Sequence, residues 1–203
     1  ADNEQESRRQ RQMARLKLLN YQMTVDEEKV EATVQTQGLV YSDYDGITGH
    51  PKPFQLMKFM ESARFYAHHW PLDDTNRTFR DYARMTSDRM TFLVTSRMDI
   101  SESIYVHTEP KSPIDVKIQG GNIGNSSVTS IATAYTKDGV QLLSNVNQVV
   151  SVDKLSRRPS PIPDWWRSKY AKSAENHSAL KVNRLEKAEN VEPFQMRVLR
   201  SDL

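Results

Sequence analysis

The chain has 203 residues, of which 37% are hydrophobic and 8% aromatic, enough for one core with polar sequence left over for loops and extensions. Its 28 basic and 26 acidic residues leave a formal net charge of +2, too mixed in sign to make a nucleic-acid-binding face. The absence of cysteine excludes a disulfide scaffold, a thiolate metal site and a cysteine nucleophile, and fits a reducing compartment.

No apolar run reaches the ~18 residues of a membrane span, and no signal-peptide core is visible. Beginning at Ala1 rather than Met, the sequence is expected to be a processed chain or an excised fragment. Residues 1–20 carry Arg8, Arg9, Arg11, Arg15 and Lys17 among good helix formers, with Met13, Leu16 and Leu19 at a spacing of three. This predicts a helix docked by a narrow apolar stripe. It is a partner-binding arm, a remnant of a targeting segment or a solvated helical extension. Residues 1–28 are set aside as that extension.

From Lys29 to Tyr41 the pattern alternates through Val30, Ala32 and Val34 and then runs through Leu39, Val40 and Tyr41, which predicts a strand. Residues 42–53 hold two Gly and two Pro and must be a loop. Pro53 suits the first turn of a helix, where its missing N–H has no intrahelical role. The helix predicted from Phe54 to about Trp70 bears Leu56, Met57, Met60, Ala63 and Ala67 on one side, and Phe54, Phe59, Phe65 and Tyr66 over much of the rest. A helix apolar nearly all round is buried on more than one side. It is the central element.

A shorter helix is expected around Phe79, Tyr82 and Met85, then four strands in a meander: Met90–Ile100, Ile114–Gln119, Ser127–Thr136 and Val140–Val152. Gly120-Gly121 and Gly124-Asn125 mark a bend or bulge, and Lys137-Asp138-Gly139 a tight hairpin. The prolines at 159, 161 and 163 end the sheet, and Asp164 caps a short helix that Trp165 and Trp166 anchor to the body. Residues 173–190 read as linker. One antiparallel sheet wrapped around one long helix, in the α+β class, accounts for this order.

That order, and several phrases within it, resemble the hotdog-fold acyl-CoA thioesterases, in particular the 4-hydroxybenzoyl-CoA thioesterase-like branch. The phrases are Tyr41-Ser42-Asp43-Tyr44-Asp45, Gly49-His50, Met60-Glu61-Ser62-Ala63-Arg64, Gly124-Asn125-Ser126-Ser127 and Val149-Val150-Ser151-Val152-Asp153, spread over residues 29–165. The resemblance implies a hotdog domain at 29–165 and a C-terminal extension at 166–203. Two departures stand out. One extra residue separates Asp45 from Gly49-His50, and Pro51, Lys52 and Pro53 replace the usual Asn-Asn pair. Phe194–Leu203 is similar to the end of the first strand, as if a second hotdog repeat began there or a lone C-terminal strand followed.

Thioester hydrolysis needs a carboxylate to attack or to activate water, and donors aimed at the developing oxyanion. The resemblance implies Asp45 as the catalytic acid, with His50 orienting substrate or water and Glu61 as a second candidate carboxylate. Gly49 and the backbone N–H groups of Phe54 and Gln55, at the positive end of the helix dipole, are the implied substrate-binding groups. Asp43 and Asp45 are equally ordinary turn residues.

His68-His69 with Asp73 and Asp74 makes no metal site, since adjacent histidines at a helix end point apart. No cofactor or metal is implied. The implied partners are an acyl-CoA or other acyl thioester and a second hotdog unit, supplied by another copy or a tandem repeat, in the cytoplasm or the mitochondrion. The competing reading, favoured by the altered loop and the extensions, is a non-catalytic hotdog subunit contacting other protein subunits in a larger assembly.

Overall fold

A computed structural model of the chain describes residues 2–175. After α1 (Asp2–Leu18) come β1 (Gln22–Asp26), β2 (Glu31–Gln35) and the long helix α2 (Pro53–His69). A 3₁₀ turn, Phe79–Asp81, runs into α3 (Tyr82–Met85), followed by β3 (Arg89–Ile100) and α4 (Ile104–His107). Then come β4 (Ile114–Ile123), β5 (Ser127–Thr136), β6 (Gln141–Asp153) and α5 (Asp164–Glu175). The six strands form one antiparallel sheet in the order β1-β2-β4-β5-β6-β3.

The sheet curls around α2. Pro53 opens the helix after an extended Lys52, as its fixed φ favours. Leu56, Met60, Ala63 and Ala67 are fully buried against Ala32, Val34, Val116, Ile118, Ala132 and Ala134. Alanines stand on both sides of this interface. With only a methyl group from each, helix and sheet approach closely and leave no room for a larger side chain on either. The central helix inside an antiparallel sheet is the α+β arrangement that the sequence implies.

Several elements differ from the sequence reading. The strand expected over 29–41 is only Glu31–Gln35, because Thr36 Oγ1 turns back to the Ile114 carbonyl at 2.9 Å and Gly38 adopts φ +78°. Tyr41–Asp43 is a 3₁₀ turn rather than strand. The last four strands are not a simple meander. β4, β5 and β6 are sequential neighbours, but β3 crosses to the far edge and pairs with β6. That connection lets the sheet close over both sides of α2.

The sheet also begins earlier than residue 29. β1, a polar edge strand with alternating exposure, pairs with β2 in register from Gln22↔Gln35 to Asp26↔Glu31. At the other end, residue 166 lies inside α5, whose Trp166, Tyr170 and Ala174 are buried, so the helix belongs to the body. The likeness at 194–203 lies outside the described residues.

α2 is not covered all round either. Phe54, Met57 and Phe65 are exposed along one flank. The Gly120 bulge and the 137–139 hairpin fall where expected.

α1 docks on this domain's own core: Leu16 is buried, with Met13 and Leu19 packed beside it. Leu16 is 1% exposed and Leu18 84%. Truncating Leu16 to Ala should therefore cost about 2–4 kcal/mol in denaturant unfolding, and Leu18→Ala less than about 0.5 kcal/mol. Equal effects would mean that the helix is not docked.

His68, on the buried face of α2, donates Nδ1–H to the Arg64 carbonyl at 2.9 Å. Burial pushes its pKa down to about 3, so the ring stays neutral in the fold while the unfolded chain titrates near 6.5. Below pH 6.5 the unfolded state therefore binds the extra proton, and stability is lost as pH falls toward 3. Between pH 7 and 5 this amounts to about 2 kcal/mol at about 1.4 kcal/mol per pH unit. Burial of His69 acts in the same direction. Denaturant unfolding at the two pH values should show the loss, and a His68→Gln variant a much shallower one.

Candidate active site

The loop before α2 is built around Asp45. Its Oδ1 accepts from the backbone N–H of Ile47 at 3.0 Å, the N–H of Thr48 at 2.8 Å and the Thr48 hydroxyl at 3.1 Å. The N–H groups of Thr48 and Ile47 hold this carboxyl below its ordinary range. Two backbone bonds close the loop, Asp45 N–H to the His50 carbonyl at 2.8 Å and Gly49 N–H to the Asp45 carbonyl at 2.9 Å. Gly49 sits at φ +70°, where a side chain would be strained. His50 is exposed and lies against Tyr105, ring centroids 4.7 Å apart. Asp45, Gly49 and His50 are thus brought together, with Asp45 in the bonding pattern of a turn-forming aspartate.

Phe54 and Gln55 follow at the helix start. The Gln55 N–H is engaged by the Lys52 carbonyl at 2.9 Å, which leaves Phe54 in the first turn, where N–H groups lack intrahelical acceptors. Glu61 is separate from this group, seven residues on and about 10 Å further along the axis at 1.5 Å per residue.

Glu61 instead lines a cavity of about 220 Å³ between α2, α3, β3, the β5–β6 face and α5. It is the only carboxylate on that wall among the described residues. Its Oε1 accepts from Asn147 Nδ2 at 2.7 Å and from Arg64 Nη1, whereas Oε2 makes no hydrogen bond among the described residues. Arg64 is buried in turn, donating Nε–H to Ser130 Oγ at 3.1 Å and Nη2–H to the Asn145 carbonyl at 3.0 Å. Burial pulls its pKa down and Glu61 opposes that. One carboxylate oxygen is clamped by two donors and the other is free to take a proton.

The rest of the wall is mixed. Phe65, Met85, Leu93, Val128 and Val149 supply apolar surface, and His68, Tyr82 and Arg80 polar groups. Tyr82 bonds Thr91 Oγ1 at 2.6 Å and packs edge-on to His68. Of these residues the sequence reading singled out Glu61 alone as a site residue. Arg64, Phe65 and His68 lie three, four and seven positions after it, which is one face of a helix and a usable signal. Arg80 and Asn147 come from distant segments and give none.

No protein-family model and no curated protein matches the chain. Solved structures do. YbaW, a probable thioesterase from Escherichia coli, superposes with a TM-score of 0.54 at 12% identity over 71% of this chain and 98% of its own. A 1,4-dihydroxy-2-naphthoyl-CoA thioesterase from Synechocystis gives 0.52 at 13% over 70% and 96%. The hypothetical protein SAV2348 from Staphylococcus aureus, solved in complex with CoA, gives 0.52 at 13% over 85% and 97%. Shared with thioesterases over nearly their full length, the six antiparallel strands wrapped on one central helix are the hotdog fold.

Proposed function

We propose that this protein hydrolyses an acyl-CoA thioester and that Glu61 is the carboxylate that activates water. The observation that carries the reading is the Glu61 clamp: a single cavity-lining acid with Oε1 fixed by Arg64 and Asn147 and Oε2 unengaged. Glu61 Oε2 takes a proton from water as the water oxygen bonds to the thioester carbonyl carbon. The tetrahedral intermediate collapses with cleavage of the C–S bond, and the departing thiolate takes the proton back from Glu61. The products are the free acid and CoA, and no cofactor is consumed. The CoA named with the Synechocystis and Staphylococcus aureus structures supports CoA as the thiol. Asp45 is assigned the turn that shapes the loop. The altered loop after His50 therefore does not remove the reacting acid.

The proposal includes a second hotdog unit on the free edge of β3. The other edge, β1, is five residues long and polar, which limits unwanted pairing. β3 is twelve residues long and exposes Phe92, Leu93 and Val94 at 48%, 53% and 57%, and the uncovered Phe65 of α2 lines the same cavity as Leu93. Thr91 and Leu93 of the same strand line the cavity, so a unit added there would cover its mouth. Such a unit fits a soluble CoA-dependent enzyme of the cytoplasm or mitochondrion.

Thiol release from a panel of acyl-CoA thioesters tests the activity. Glu61→Gln should lower kcat by about 100-fold or more. Asp45→Asn, which keeps the acceptor oxygen, should stay within about threefold of the parent. Loss of turnover in Asp45→Asn with Glu61→Gln still active would move the chemistry to the loop. No hydrolysis of any thioester would favour the non-catalytic subunit. For the β3 edge, light scattering of the chain at micromolar concentration should show a dimer that Leu93→Lys dissociates. A monomer in both would remove the second copy from the proposal.

A further inference from the structure

Arg80 lines the same cavity as Glu61 and is only 5% exposed, yet it is not neutralised. Its Nε and Nη2 are sealed from solvent with no acceptor, and no carboxylate pairs with it among the described residues. The adjacent acid, Asp81, is committed elsewhere, accepting from Lys169 Nζ at 2.6 Å and the Tyr170 hydroxyl at 2.8 Å. The guanidinium rests instead on aromatic faces, with Cζ 4.7 Å from the Trp166 ring and 5.5 Å from that of Tyr170. Aromatic faces hold the cation in place but offer its N–H groups no acceptor. A buried charge in this state is costly, and it stays charged: burial lowers its pKa only to about 10.

The surrounding backbone is shaped for this group. Arg80 and Asp81 both adopt left-handed conformations, at φ 55° and 49°, which cost non-glycine residues about 1–3 kcal/mol each. Gly120 faces the guanidinium so closely that a Cβ there would lie 2.5 Å from Cζ. On Arg64, the other arginine of the wall, each guanidinium nitrogen already donates to an acceptor, and burial pushes the pKa of His68 and His69 down. Arg80 is therefore the one arginine on this wall, among the described residues, with guanidinium nitrogens that have no acceptor.

We propose that Arg80 binds a carboxylate at the far end of the acyl group, so that the substrate is the half-thioester of a short dicarboxylic acid, an assignment that rests on the thioesterase reading of Glu61. The carboxylate accepts from Arg80 Nη1, the one guanidinium nitrogen that is not sealed from solvent, while the thioester carbonyl lies at Glu61. Between them the chain runs past Leu93, Val128 and Val149. Glu61 and Arg80 line the same small cavity of about 220 Å³, so the two ends of the acyl group lie close together and the diacid is a short one.

The test compares succinyl-CoA with 4-methylpentanoyl-CoA, in which a branched hydrocarbon end of similar shape replaces the carboxylate. The parent should favour succinyl-CoA in kcat/KM by on the order of 100-fold, as expected for a charge-assisted pair. Arg80→Met should lose that preference while still turning over the neutral thioester, and Arg80→Lys should retain part of it. In parallel, free glutarate should raise the melting temperature of the parent protein and not that of Arg80→Met.

Equal or better hydrolysis of the neutral thioester by the parent would overturn the Arg80 assignment and leave the thioesterase reading intact. No hydrolysis of either thioester, with an Arg80-dependent glutarate shift, would overturn the thioesterase reading and keep the anion site. Absence of both hydrolysis and shift would overturn the anion site as well. Should Arg80→Met fail to fold, the parent's charged-to-neutral ratio and its glutarate shift decide the matter alone.

Discussion

A guanidinium buried on the central helix has to be answered on every side, and the arrangement of the site follows from how Arg64 is answered. Its Nε goes to β5 through Ser130, one terminal nitrogen to β6 through the Asn145 carbonyl, and the other to Glu61 on its own helix. Each bond is charge-assisted in surroundings where water cannot substitute, so each is expensive to lose. The three together fix the rotation of α2 inside the sheet. They also fix where Glu61 can be. Ordinary apolar packing of Met60, Ala63 and Ala67 would hold the helix in place but would leave a half-exposed glutamate free to choose its rotamer.

Arg64 and Arg80 make an instructive pair because they line one cavity under opposite conditions. The first is satisfied by the protein and organises it. The second has aromatic neighbours but no acceptor, so its hydrogen-bonding capacity is held in reserve for something that enters. A protein bears the cost of such a group most readily where a ligand returns it, which is also where strained backbone tends to collect.

Much of the fold was legible in the sequence. The apolar density of residues 54–70 marked the central helix, and Ser127–Thr136 was placed to the residue by its run of β-branched and small side chains. The misses have physical causes. β1 is a polar edge strand, whose alternation of Gln22, Thr24 and Asp26 with Met23 and Val25 carries little hydrophobic signal. The crossing of β3 to pair with β6 is a matter of topology, and strand-by-strand periodicity is silent on it. Of the site, Glu61 was visible only through the resemblance of Met60-Glu61-Ser62-Ala63-Arg64 to the thioesterase phrase, as a second candidate after Asp45. Asp45 and Gly46 show how one local phrase serves two ends, since an Asp before Gly reads the same whether it reacts or caps. Arg80 and Asn147 reach the cavity only through tertiary contacts, and an isolated arginine in a polar stretch looks like surface.

The C-terminal helix shows why a boundary drawn by composition would have cut through the site. α5 is polar enough to pass for an extension, and its sequence begins just after a run of prolines that does end the sheet. Yet Trp166 donates its indole N–H to the Arg80 carbonyl at 2.7 Å, and Lys169 and Tyr170 bind the Asp81 carboxylate. These contacts act on the very two residues whose backbone is left-handed, and a strained conformation persists only when its surroundings over-determine it. Without α5, Arg80 and Asp81 would lose both the bonds that hold their backbone and the aromatic faces under the guanidinium, and the chain there would relax toward an unstrained turn. The cation would then turn outward to water. The cavity's positive wall is therefore a property of α5 as much as of Arg80, joined across 86 positions of sequence by one indole hydrogen bond.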